Sequence, residues 1–220
     1  MTFDASVIWQ NLPFLVGGIW NTLLLVVAAL VLGSAIGLVV CAGALLGQGF
    51  VRWLALGYVG VFRGLPETVI VFWLYYCGPL ILSAKLTAFE AGTMALAIPS
   101  GAYFAEIFRS GILAVPRGQF DAARAIGLSP FWLARDVIAP QALRIMIPPT
   151  LGIVTILIKN SALVSAIGVE ELFYRATVLA GQTFRHFELL TAAALIYFAL
   201  ILPLSVLVQH QEKRLLAKVW

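Results

Sequence analysis

Few residues in this 220-residue chain have the types and spacing that chemistry needs. No G-x-x-x-x-G-K-[ST], H-E-x-x-H or G-x-S-x-G occurs, so the chain carries no phosphate loop, zinc-protease helix or nucleophile elbow. His186 and His210 fall on opposite sides of a membrane by the topology argued below, where they cannot share a metal or a triad. Cys41 and Cys77 lie 36 residues apart in apolar stretches, which is no metal-ligand spacing. No catalytic residue and no metal site is expected. Lys159 stands apart. It lies eleven residues beyond Pro148 in an apolar run, about 16 Å along a helix and so near a bilayer centre. An intramembrane lysine costs roughly 2.5–3.5 kcal/mol on insertion scales, so it must face a cavity, a partner or the bundle interior. Glu106 is one counter-ion for it, with Arg109 one helical turn on competing for the same carboxylate; Glu67, after a helix break, is a weaker one. Asn160 and Ser161 add neutral donors beside Lys159, and Tyr103 adds a hydroxyl on another apolar segment. A structural Lys–Glu pair and a solute-contacting lysine both fit these residues.

The elements that must position them are set by composition. The chain is 62% hydrophobic and 11% charged, where soluble chains average about 25% charged. Residues 5–51 and 189–211 contain no Asp, Glu, Lys or Arg. A soluble fold is excluded, and the N-terminus lacks the basic n-region of a cleaved signal, so the first helix is expected to be retained. The apolar runs predict an all-α, polytopic membrane helical bundle with five transmembrane helices in one domain, 1–220. The spans fall at about 21–46, 66–82, 89–108, 148–168 and 189–208. A short interfacial helix precedes the first, and a second, Val51–Arg63, precedes the break at Gly64-Leu65-Pro66. One side then holds Arg52, Arg63, Arg109, Arg117, Arg124, Arg135, Arg144, Lys213, Arg214 and Lys218, and the other only Lys85, Arg175 and Arg185. The positive-inside rule makes the first side cytoplasmic, with the N-terminus external. The net charge of +4 is thus accounted for by topology and implies no nucleic-acid partner. The G-x-x-x-G spacings at Gly33–Gly37, Gly43–Gly47 and Gly60–Gly64 read as helix-packing sites.

The stretch 117–148 is the most informative. Gln119–Ile126 predicts a short helix stopped by Gly127, and Ser129-Pro130 fits an N-cap and first turn for Phe131–Ile138, which Pro140 interrupts or ends. Asp121 lies in the first turn, where the helix dipole favours an anion. Ala122 and Ala123 keep one face small enough for another protein's groove to approach. A hairpin that merely connects two spans has the same pattern.

Asp121-Ala122-Ala123, three residues, Gly127, nine residues, Val137-x-Ala139-Pro140 resembles the EAA signature of bacterial ABC importer permeases, E-A-A-x(3)-G-x(9)-I-x-L-P. Asp121 keeps the charge of the usual Glu, and Ala139 is smaller than the usual Leu. VFRGLPETVIVFWLYY (61–76), SGAYFAEIFRSGILAVPRGQFDAA (100–123) and KNSALVSAIGVEELF (159–173) are similar to segments of the polar amino-acid branch, with Glu67 where an apolar residue is usual. The resemblance covers essentially the whole chain. It implies a transport subunit of the bacterial inner membrane that works by alternating access and is not itself an enzyme. Asp121, Ala122, Ala123, Arg124 and Gly127 are expected to contact the ATPase. The implied partners are two ATP-binding cassette subunits, a second permease protomer (identical or sister), an extracytoplasmic solute-binding protein and membrane lipid. ATP and Mg belong to the ATPase, and this chain binds no cofactor. The implied substrate is a polar amino acid met by Tyr103, Lys159, Asn160 and Ser161. The neutral amide of Asn160 leans the choice toward acidic or amide amino acids. The alternative is a membrane scaffold whose 117–140 hairpin docks a non-ATPase partner.

Overall fold

The computed structural model describes residues 3–83 and 85–216, and among the described residues it is helical without strands; Lys218 of the basic tail lies outside them. The first helix, α1 (Ala5–Leu46), starts at Asp4, whose carboxylate accepts the Ser6 N–H at 3.0 Å. The interfacial helix and first span expected as separate pieces are one helix of 42 residues. Gly17-Gly18 lies inside it, and a side chain at Gly18 would lie 2.7 Å from the Leu172 Cα: the glycine is a notch for a crossing backbone. At 1.5 Å per residue α1 is about 63 Å long, so it extends beyond or tilts within a ~30 Å hydrocarbon core.

A turn at Gly47-Gln48 leads to α2 (Gly49–Gly64), and the chain bends by 104° at Leu65-Pro66 into α3 (Glu67–Tyr76). The span expected over 66–82 is not one helix. Pro79 has no N–H for the Tyr75 carbonyl, so the helix stops at Cys77 and restarts as α4 (Gly78–Leu82). Next, α5 (Ala88–Leu113) opens with a capping box in which the Glu90 N–H donates to Thr87 at 3.2 Å and the Thr87 N–H to Glu90 at 2.8 Å. This helix is the centre of the fold. Its buried positions are mostly small (Ala91, Gly92, Ala95, Ala97, Gly101, Ala102, Ala105), which lets α1 lie against it through Gly33 and Gly37. Gly43 likewise faces Ala55 of α2, but Gly60 and Gly64 meet nothing within 4 Å and are not packing sites within this chain.

The chain then forms α6 (Arg117–Ala125), ended by left-handed Gly127 at φ 76°. There the Leu128 N–H reaches the Ala123 carbonyl at 3.1 Å and the Gly127 N–H the Arg124 carbonyl at 3.0 Å. A short α7 (Pro130–Trp132) runs through a π-helical turn (Leu133–Ile138) into α8 (Ala139–Asn160). Pro140 therefore neither interrupts nor ends this helix. The wider i→i+5 turn ahead of it absorbs the proline's missing donor and ring. Pro148 and Pro149 also lie inside α8 rather than opening a segment. Ser129 starts the run with its backbone: its carbonyl accepts the Leu133 N–H at 2.9 Å, and its side chain makes no cap bond. After Asn160 the helix tightens to a 3₁₀ segment (Ser161–Ile167) ended by Gly168 at φ 89°. Between the fourth and fifth expected spans lies a further helix, α9 (Leu172–Thr183), and α10 (His186–Leu216) completes the bundle.

Among the described residues three helical stretches are long and apolar enough to cross a membrane: Ala5–Leu46, Pro130–Ile167 and His186–Gln211. The bent α2–α3 pair makes a fourth if counted as one broken span. The main core gathers Leu25, Ala29, Val71, Leu96, Phe104 and Leu157 from α1, α3, α5 and α8. A second cluster closes the α9 end with Leu15, Leu172, Ala176, Ala180, Leu189 and Ala193. A third, at the α6 end, holds Val115, Ala123, Leu133, Ile138, Ala142 and Met146.

Candidate functional site

The α6 segment stands out from the bundle with one buried residue, Ala123, while Asp121, Ala122, Arg124 and Gly127 are exposed. Ala123, expected at a partner contact, is buried within its own chain beside Leu133 and Ile138. Arg117, Phe120, Asp121 and Arg124 line one cleft with Leu45 and Leu46 at the end of α1. Ile126 is 77% exposed at the corner, an apolar side chain left largely uncovered by the described residues. The left-handed Gly127 fixes the angle between α6 and the helix that follows.

That helix ends at the residues singled out for solute contact. Lys159 is exposed and borders a cavity of about 280 Å³ with Ala162, Phe173, Leu190, Ala194 and Tyr197. The Lys159–Glu106 pair does not form. Glu106 is held by Arg109, whose Nη2 lies 2.8 Å and Nε 3.1 Å from the carboxylate oxygens, and among the described residues Lys159 has no carboxylate within ion-pair distance. Asn160 donates from its amide Nδ2 to the Glu67 carboxylate, which joins the last residue of α8 to the first of α3. Ser161 is fully buried, donating to the Ile158 carbonyl at 2.7 Å and lying 3.4 Å from the Tyr197 hydroxyl. Tyr103 is not with them; the Arg63 guanidinium lies 5.5 Å above its ring. The structure thus joins Asn160 to Glu67, places Lys159 at a cavity lined by α9 and α10 instead, turns Ser161 inward, and leaves Tyr103 with the α2 helix.

Sequence reasoning missed Glu171. Its side chain is fully buried, caps α9 by accepting the Tyr174 N–H at 2.7 Å, and accepts the Tyr197 hydroxyl. The Thr22 hydroxyl of α1 lies 3.5 Å from the same carboxylate and accepts the Leu172 N–H at 3.3 Å. Asn21 donates to the Glu170 carbonyl at 2.8 Å. Burial pushes the Glu171 carboxyl above the ordinary range, against the hydrogen bonds from Tyr197 and the backbone, which lower it. The signal in the sequence was an acidic pair directly before a twelve-residue amphipathic stretch, Leu172–Thr183.

Comparison with known proteins agrees with this architecture. The model of the family described as "Binding-protein-dependent transport system inner membrane component" matches residues 29–217. The glutamine transport system permease protein GlnP of Escherichia coli is 35% identical over 216 residues, 98% of this chain and 99% of that protein. A probable glutamine ABC transporter permease protein, GlnM of Bacillus subtilis, is 34% identical over 212 residues, 96% of this chain and 98% of that protein. A crystal structure described as an amino acid ABC transporter with histidines superposes with a TM-score of 0.86 at 35% identity, covering 97% of this chain and 100% of that one. With the family matched over most of its length and relatives covered end to end, the chain belongs to the binding-protein-dependent transport system inner membrane components, as an amino-acid ABC transporter permease of the inner membrane and not an enzyme.

Proposed function

We propose that this chain forms the translocation pathway of an ATP-driven importer of amide amino acids, glutamine foremost. It crosses the membrane five times, through α1, α3–α4, α5, the helix leading to Asn160, and α10. Its N-terminus is external and its C-terminus cytoplasmic, as the ten-to-three sorting of Lys and Arg supports. α5 serves as a span although it is rich in small residues, because neighbouring helices enclose it. Two copies, or this chain and a sister, enclose the path. Two ATPase subunits, which hold the ATP and Mg, dock on α6 through Asp121, Ala122, Arg124 and Gly127, and an external binding protein delivers the solute.

One observation carries this reading: the exposed α6 is locked by Gly127 to a helix that continues without a break to Asn160, where Asn160 meets Glu67. A displacement of α6 by ATPase closure therefore arrives at the polar contact in the path. There the Glu67 carboxylate offers an acceptor for a solute ammonium and the Asn160 amide a donor for its oxygens, with the Lys159 ammonium a further donor from the cavity lined by α9 and α10. The glutamine permeases among the relatives support the amide.

The test is purification in mild detergent followed by glutamine uptake in proteoliposomes with the binding protein supplied. Wild type is expected to copurify with a Walker-motif ATPase and to take up glutamine. Gly127→Val, which forces a branched side chain to φ 76°, and Asp121→Lys are expected to lose the ATPase at least tenfold. Recovery of a different partner with no ATPase would move the reading to a membrane scaffold.

A further inference from the structure

We propose that Glu171 is a positioning residue for the cavity beside Lys159: held as the neutral acid, it fixes the Tyr197 side chain that forms one wall of that cavity. That the solute enters there rests on the importer reading above. Tyr197 of α10 makes the connection. Its hydroxyl meets the Glu171 carboxyl and lies 3.4 Å from the Ser161 Oγ, while the residue lines the cavity of about 280 Å³ with Lys159, Phe173 and Leu190. The same side chain packs against both the main core and the α9 cluster. Glu171 is itself held from two sides, by the Tyr174 N–H at 2.7 Å in α9 and by the Thr22 hydroxyl of α1 at 3.5 Å. A buried group tied to two helices is a firm anchor for a side chain on a third.

The surroundings of Glu171 determine its charge. It is wholly buried, and among the described residues no Lys or Arg lies within ion-pair distance of it. It faces the Thr22 hydroxyl from α1, the Tyr174 N–H from α9 and the Tyr197 hydroxyl from α10, with the Ser161 hydroxyl beyond Tyr197; all four are neutral. The charges nearest in sequence are directed elsewhere. Arg175 donates to the Phe14 carbonyl at 3.0 Å and lies 5.1 Å over the Phe14 ring, Arg185 pairs with Glu188 at 3.2 Å, and Glu170 is exposed. A carboxylate buried without a cation costs more than taking up a proton. The neutral acid keeps every contact, since one oxygen still accepts the Tyr174 N–H and the carboxyl still bonds the Tyr197 hydroxyl. Loss of the proton strands a charge between α1, α9 and α10, and water admitted to solvate it loosens the Tyr197 wall.

Two measurements on the purified full chain in detergent test the proton and the wall. In infrared difference spectra at neutral pH, wild type is expected to show the C=O band of a protonated carboxyl that Glu171→Gln lacks, and to lose it at alkaline pH. Ser161 is fully buried beside Tyr197, so Ser161→Cys serves as a reporter, its labelling by a thiol reagent read at that position by peptide mass spectrometry. Adding Tyr197→Phe or Glu171→Ala should speed labelling about fivefold, the weight of one hydrogen bond. Adding Glu171→Gln, which keeps a donor and an acceptor, should leave the rate unchanged. Thermal unfolding establishes that each variant is folded. No band difference at neutral pH, unchanged labelling in a folded Tyr197→Phe protein, or labelling of Glu171→Gln as fast as Glu171→Ala would each overturn the proposal. In proteoliposomes with the binding protein supplied, glutamine uptake should fall with rising pH in wild type relative to Glu171→Gln, and coincident profiles would likewise overturn it. If wild type takes up no glutamine, the importer reading fails while the band and the labelling keep their meaning.

Discussion

At the α9 end of the molecule the chain closes on itself. Glu171 is wholly buried and bonded from Tyr174 and Tyr197, with Thr22 beside it, and the Gly18 notch presses α1 onto the backbone of Leu172. At the α6 end one residue of the helix is buried, Ile126 and Phe131 stand in the open, and an apolar groove lies uncovered. Both ends are built on small residues and short helices, so composition does not separate them. What separates them is where the unsatisfied surface goes. The first end spends its polar groups internally and becomes rigid; the second leaves contact surface for other molecules.

The sharpest way to break that contrast is to add the same kind of bulk at each end. Gly18→Ala places its Cβ 2.7–3.0 Å from backbone that cannot move aside, and the loss in unfolding free energy is expected to be about 3 kcal/mol. Gly118→Ala on α6 meets nothing within 4 Å and should change stability by less than about 0.5 kcal/mol. Thermal and denaturant unfolding in detergent measure both, and equal losses would erase the distinction. Next in size is Glu171→Ala, which strands the Tyr174 N–H and the Tyr197 hydroxyl and should cost about 2 kcal/mol. Asp121→Ala should leave unfolding within about 0.5 kcal/mol and show its effect in ATPase copurification.

The pH dependence sharpens the comparison further. The Glu171 carboxyl is raised by burial, so the folded chain holds that proton more tightly than the unfolded one. Its contribution is full below the ordinary glutamate value and is lost as pH rises through the higher folded value. Unfolding followed between those limits should show stability falling with pH in wild type and a flatter profile in Glu171→Gln. The smallest effect belongs to Glu106–Arg109, whose side chains are a quarter to a third exposed; a double-mutant cycle should return about 0.5 kcal/mol.

Local signals carried the helices and the α6 corner. Gly127 announced a left-handed stop, the uncharged runs announced their spans, and Gly33–Gly37 announced close packing. Features set by distant segments were not legible. Nothing in the spacing of Gly17-Gly18 points to Leu172, which lies across it. Pro140 reads as a stop because a π-helical turn leaves no pattern in hydrophobic periodicity. Glu67 and Asn160 are 93 residues apart, and Glu171 and Thr22 are 149 apart, so neither pairing has a spacing to recognise. In the candidate site Lys159 stands out by its cost, but its neighbours Phe173, Leu190 and Tyr197 are set by how α9 and α10 meet the end of α8, and those of Asn160 by the broken α3.

The π-helical turn before Pro140 also has a mechanical meaning. Had the proline cut the helix, a push on α6 would dissipate in a flexible joint. With the turn absorbing the proline, residues 130–160 form a lever about 46 Å long, on which a tilt of about 10° sweeps the far end by about 8 Å. That stroke is comparable to the size of an amino acid. Under the proposed importer function, the turn would convert a small docking motion into one large enough to part Asn160 from Glu67.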